Sequence, residues 1–281
     1  MSVFNPAPTS LWRLEWLRLV RAHRWLGLGG LFVLLGLSAP ILAANLGWLV
    51  NHAGTNGQFT IEVPRPTPAD GIGGYARQVA QIGMIVLIVS AAGPLCPYGR
   101  RQLGIFYRMM ARAASGGVGP GAFGVVGPGA SLLPRASAAV LLPRFTVSAV
   151  SAVVVYLLGT ACAWYETAVL IAAPDPGAVL AGAGCCALYL VFCLAVVGVV
   201  GSVANGTLVT ASLSVLVVMV IGIAESLPTV GRFMPTRLVA APADLLGHGH
   251  VVDYLPAVGV CVACVVAMLL AGVALLDRRE L

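Results

Sequence analysis

Six stretches of this chain contain no Asp, Glu, Arg, Lys or His: Leu26–Val50, Val79–Leu95, Phe145–Trp164, Gly177–Ser202, Thr207–Ala224 and Leu255–Leu276. At about 1.5 Å per helical residue, each is long enough to cross most of a hydrocarbon layer of about 30 Å. Hydrocarbon offers no partner to backbone N–H and C=O groups, so a chain that crosses it closes those groups within helices. The sequence therefore predicts an all-α polytopic membrane protein with six transmembrane helices. Composition excludes the soluble alternative, because 59% of the residues are hydrophobic and only 9% charged, against about 25% charged in soluble domains. The first apolar run follows a basic region spanning 1–25 and exceeds the roughly 7–15 residues of a signal-peptide core, so it reads as a retained span.

Arginine counts orient the spans, because cytoplasmic loops retain positive charge. With the N-terminus inside, twelve of the 16 basic residues fall on the inner side with three acids, a net of +9. Four Arg and seven acids fall on the outer side, a net of −3. Both termini are expected in the cytoplasm. All the basic side chains are Arg and none is Lys, which, with the excess of Ala, Gly and Val, points to a GC-rich bacterial genome. The expected location is the bacterial cytoplasmic (inner) membrane, and the net charge of +6 is explained by topology rather than by nucleic acid.

The chain divides into a leader over 1–25 and a six-span domain over 26–281, with an inner loop over 96–144 and outer loops over 51–78 and 225–254. The leader draws as a helix from Leu11 to Trp25 capped by Thr9 or Ser10. Trp12, Trp16, Leu19 and Val20 lie on one side, with Arg13, Arg18, Arg21 and Arg24 towards the other. Such a helix lies along the inner membrane surface in contact with lipid; the plain alternative is a basic flank of span one. In the inner loop, 98–115 has helix-forming residues with Arg100, Arg101, Arg108 and Arg112, and 116–130 is rich in Gly and Pro, the composition of a flexible insert.

Catalytic motifs are sparse. Gly119, Gly121 and Gly124 copy the spacing of a dinucleotide-binding turn, but Pro120 interrupts them and no strand precedes. No phosphate-cradling loop is present, and without Lys the chain cannot carry a standard one, so any ATP hydrolysis belongs to a partner. The Asn205-Gly206-Thr207 acceptor pattern falls in an inner turn. Cys185, Cys186, Cys193, Cys261 and Cys264 lie in apolar spans, where a thiol packs as a small hydrophobe, and His248 and His250 read as solvated loop residues. No metal site is expected. The six stretches hold no interior ionisable residue, which counts against an ion-coupled carrier, and no paired acids or hydrolase motif lie in a span.

This layout resembles the permease subunit of a type-2 ABC exporter, in particular its actinobacterial members. The resemblance rests on the leader Leu11–Trp25, six spans, a basic inner loop between spans two and three, an outer segment between spans five and six, and the charged tail Leu276–Leu281. It implies that the stretch Gly99–Arg108 is a coupling helix that docks on a separate ATPase, with Arg100, Arg101, Phe106, Tyr107 and Arg108 as its contact residues. The segment contains no acid, unlike the family's commonest pattern. Trp164-Tyr165-Glu166-Thr167 also resembles those members and makes Tyr165 and Glu166 candidates for an outer gate. The implied partners are an ABC ATPase in two copies and a second permease, the same or related. Those copies carry ATP and Mg, and this chain binds no cofactor. The implied function is export of a hydrophobic or amphiphilic substrate. The alternatives are a membrane anchor or assembly subunit that transports nothing and, third, the ion-coupled carrier.

Overall fold

The structure, a computed structural model, describes residues 15–17, 24–53, 64–96, 133–225, 231–247 and 249–279. Every regular element among them is helical. Six helices are long and apolar enough to cross a membrane: Trp25–Val50, Pro68–Leu95, Leu141–Leu170, Pro176–Val203, Thr207–Ala224 and Val251–Leu276, here spans one to six. The end of the bundle where span one begins is called the leader side.

Spans one, four and five keep the boundaries expected from the uncharged stretches to within a residue or so; spans two, three and six are longer. Span two begins at Pro68, not Val79. The Asp70 carboxylate accepts from the Thr67 backbone N–H at 2.9 Å and the Thr67 hydroxyl at 2.7 Å, closing the first turn around Pro68. Counting uncharged residues stopped at Arg77, but a helix does not stop at a charge. The third helix runs from Leu133 to Leu170, so the last part of the expected inner loop is helical and Arg144 and Glu166 lie on the span itself. Asp70 and Arg77 on span two, Arg144 and Glu166 on span three and Asp253 on span six therefore belong to the spans, although none falls within the uncharged stretches themselves.

Span four is the axis of the bundle. In its most apolar stretch 72% of the residues are buried, against 22% in span five and 17% in span six, which present large apolar faces outward. Spans one and three cross at glycine, where a Cβ on Gly36 would strike the Gly159 carbonyl and one on Gly159 would lie 2.6 Å from the Phe32 carbonyl oxygen. Small residues let membrane helices approach this closely. Span two joins the same seam: Tyr75 stacks on Tyr156 with ring centroids 5.6 Å apart and donates its hydroxyl to the Tyr156 carbonyl at 2.9 Å. A π-helical turn at Val79–Gly83 brings Gly83 against Phe32.

The segment between spans five and six is folded in its described residues. It contains 3-10 turns at Gly231–Phe233 and Pro235–Val239, a short helix at Ala241–Gly247 and a further turn at Val251–Tyr254. Leu238 and Ala241 are fully buried. The helix rests on two glycines, because a Cβ on Gly182 would come within 2.6 Å of the Pro242 Cα and one on Gly73 within 2.6 Å of the Ala243 Cβ. Tyr254 fastens the segment to span six by donating to Asp244 at 2.5 Å, with Arg237 above its ring at 5.5 Å. His250 is exposed, and His248 lies outside the described residues.

Candidate functional site

At the leader side three parts of the chain meet on one guanidinium. Arg144 is the fourth residue of span three. Its Nε donates to Glu15 Oε1 at 3.1 Å and its Nη1 reaches the Pro94 carbonyl at 3.5 Å. Both charged side chains are almost completely buried, Arg144 at 7% and Glu15 at 6% exposure. Charges removed from water this thoroughly persist only when paired and hydrogen-bonded. The pair ties residue 15 of the leader to the point where span two ends and span three begins. Between those two ends runs the Arg-rich segment 97–132, which lies outside the described residues.

Beside this junction a shallow cleft lies between spans one, two and three. Leu28, Leu87, Ala91 and Val155 form its apolar walls, Leu194 of span four its floor, and Trp25 and Pro94 its leader-side rim. Three serines also line it, Ser90, Ser148 and Ser151. Ser90 donates back to the Leu87 carbonyl at 2.8 Å and Ser151 to the Ser148 carbonyl at 2.8 Å, so these hydroxyls are spent on their own helices. The gap exists because small side chains face one another on spans two and three. Pro94 contributes too, since its ring nitrogen cannot donate to the Ser90 carbonyl one turn back. Apart from these serines the lining is apolar, and it holds no acid or base.

Arg100, Arg101, Phe106, Tyr107 and Arg108 lie outside the described residues, as do Trp12, Arg13, Arg18 and Arg21. Arg24 opens the helix of span one. Trp16 is described and is 49% exposed, beside the buried Glu15. Tyr165 and Glu166 sit at the opposite end of span three, Tyr165 fully outward at 63% exposure and Glu166 half-buried. Neither approaches the junction or the cleft. Next to them, Trp164 donates its indole N–H to the Pro174 carbonyl at 3.3 Å, closing the turn between spans three and four. The cysteines pack inside the bundle: Cys186, Cys193 and Cys261 are fully buried, and Cys261 directs its thiol at the Leu188 carbonyl at 3.8 Å.

Sequence reasoning missed the junction. Glu15 and Arg144 entered it only as charges in a topology count, although Glu15 is the one acid among the four arginines of the leader. Comparison with family models, curated proteins and solved structures finds no match to this chain.

Proposed function

We propose that the chain is the membrane subunit of an ATP-binding-cassette exporter, working with a second permease copy and a separate ATPase. In this reading it resides in the bacterial cytoplasmic membrane with both termini inside. The observation that carries the reading is the Arg144 junction. The Arg-rich segment 97–132 leaves from the end of span two and returns through the start of span three, and one buried guanidinium holds those ends together with the leader. A push on that segment by a nucleotide-driven partner would therefore reach spans two and three and the leader as one body. Rigid-body tilting of packed helices is how such input opens a path.

Three further features support it. The chain has no Lys and no phosphate-cradling loop, so an external ATPase supplies the energy. The short helix between spans five and six, where the resemblance implies an outer segment, packs on Gly73 of span two and Gly182 of span four. Spans five and six are mostly unpacked within one chain, leaving broad apolar surface for a second permease and for lipid. Apolar helix faces lining the shared path suit a hydrophobic or amphiphilic substrate. In the cytoplasmic orientation Arg100, Arg101, Phe106, Tyr107 and Arg108 contact the ATPase, while Tyr165 and Glu166 face the outer side.

The test is recovery of the complex. The tagged chain, purified from its own host in mild detergent, is expected to bring down a protein with a phosphate-loop ATPase sequence in equal amount. Recovery of the chain alone, intact and monodisperse, contradicts the reading and favours the anchor.

A further inference from the structure

Gln81 stands at the middle of span two and faces outward. The span Pro68–Leu95 is 28 residues long, so Gln81 lies about 20 Å from either end. A hydrocarbon layer of about 30 Å leaves it at least about 9 Å inside, however the layer is placed along the helix. Its side chain is exposed, whereas Val79 and Gly83 on either side of it are buried, because the π-helical turn they bound seats Gly83 on Phe32 of span one. An amide that makes no hydrogen bond in hydrocarbon is costly. Its own helix does not relieve that cost, since the amide oxygen needs a donor and the N–H groups of a helix interior are committed to carbonyls one turn back. Among the described residues Gln81 has no hydrogen-bond partner.

We propose that this face of span two is where two copies of the chain meet, with the two Gln81 amides paired across the two-fold axis. Acyl chains carry no donor or acceptor to answer the amide, but a primary amide is its own complement. Each Gln81 donates its Nε2 to the other's Oε1, which closes two hydrogen bonds between helices and strands neither oxygen. Copies inserted the same way round are related by an axis along the membrane normal, so equivalent faces bring each residue to its counterpart at equal depth. Ile85 and Val89 continue the outward stripe below Gln81 and supply apolar packing. Arg77, one turn towards Pro68, is also exposed and long enough to extend towards the headgroups at that end. Spans two and five touch along Met84–Leu95, so the face borders the apolar surface that span five leaves for a second permease. The contact rests on that part of the exporter reading alone, since it forms without the ATPase and equally in an anchor.

Subunit counting in liposomes, with the full chain and no ATPase, measures the contact as protein is diluted into lipid. The unsubstituted chain is expected to be dimeric. Gln81→Leu, which turns an apolar side chain of similar size towards hydrocarbon, is expected to weaken dimerisation by about three- to twentyfold, the range that hydrogen bonds between membrane helices supply. Oxidation with copper phenanthroline locates the face. Ile85→Cys, one turn along it, is expected to give a disulfide-linked dimer above the background set by the seven native cysteines, and Val266→Cys, exposed on span six, is expected to stay at background. The proposal fails if the unsubstituted chain is monomeric, if Gln81→Leu dimerises as tightly as the parent, or if Val266→Cys cross-links as readily as Ile85→Cys. A dimer through another face leaves the exporter reading standing, and a Gln81-dependent dimer that recruits no ATPase overturns that reading but not this contact.

Discussion

Arg144→Leu is expected to destabilise the chain by about 3–5 kcal/mol, the cost of breaking a buried ion pair by removing one member. Glu15, a carboxylate at 6% exposure, would lose its 3.1 Å contact with the guanidinium. Glu15→Leu takes that carboxylate from Arg144, which keeps the Pro94 carbonyl. The informative protein is the double variant, because replacing both members of a buried pair by apolar residues is often neutral. Arg144→Leu with Glu15→Leu should therefore be more stable than either single variant, a large coupling in a double-mutant cycle. Thermal unfolding of the four proteins in one detergent measures it. Additive losses would mean that the two side chains do not depend on each other.

Gly159→Leu carries the second large effect. The new Cβ would meet the Tyr75 hydroxyl and lie 2.6 Å from the Phe32 carbonyl oxygen. A side chain can rotate away, but the Phe32 carbonyl belongs to the backbone of span one, so the spans must separate. Overpacking costs about 1–3 kcal/mol and occasionally more, and here the upper end is expected because three spans share the seam. Gly30→Leu is the internal control, since a Cβ there meets nothing within 4 Å; it should stay within about 0.5 kcal/mol of the parent. Equal unfolding temperatures for the two variants would show that spans one and three are not in backbone contact at Gly159.

The six spans were legible in the sequence because crossing hydrocarbon demands long uncharged runs, and that demand leaves a mark that needs no knowledge of tertiary contacts. Their ends were less legible. The start of span two was written locally, in Thr67-Pro68-Ala69-Asp70, where an acid three residues after a threonine closes a capping arrangement; Arg77 hid it from a count that stopped at charges. The short helix Ala241–Gly247 left almost no trace. Seven residues are too few for a helical period to emerge, and its burial depends on glycines at 73 and 182 that read as ordinary small residues of other segments.

The candidate site divides along the same line. Arginines near span ends follow from topology, so Arg144 was visible as a charge, but its partner is 129 positions away and nothing local marks the pairing. The cleft was invisible for a related reason. Ser90, Ala91, Ser148 and Ser151 are unremarkable in spans whose helices commonly meet through small residues, and only the three-dimensional arrangement shows that here they leave a gap. The segment 97–132 and most of the leader are read from the sequence alone.

In the proposed exporter, energy enters through the segment between spans two and three. The decisive experiment reconstitutes the chain with the ATPase recovered from its host and measures ATP hydrolysis in liposomes. The expected result is hydrolysis stimulated by this chain, and loss of that stimulation with Arg100→Glu and Arg101→Glu in protein that still folds and inserts. Hydrolysis indifferent to the chain, or stimulated equally by the doubly substituted protein, would contradict it.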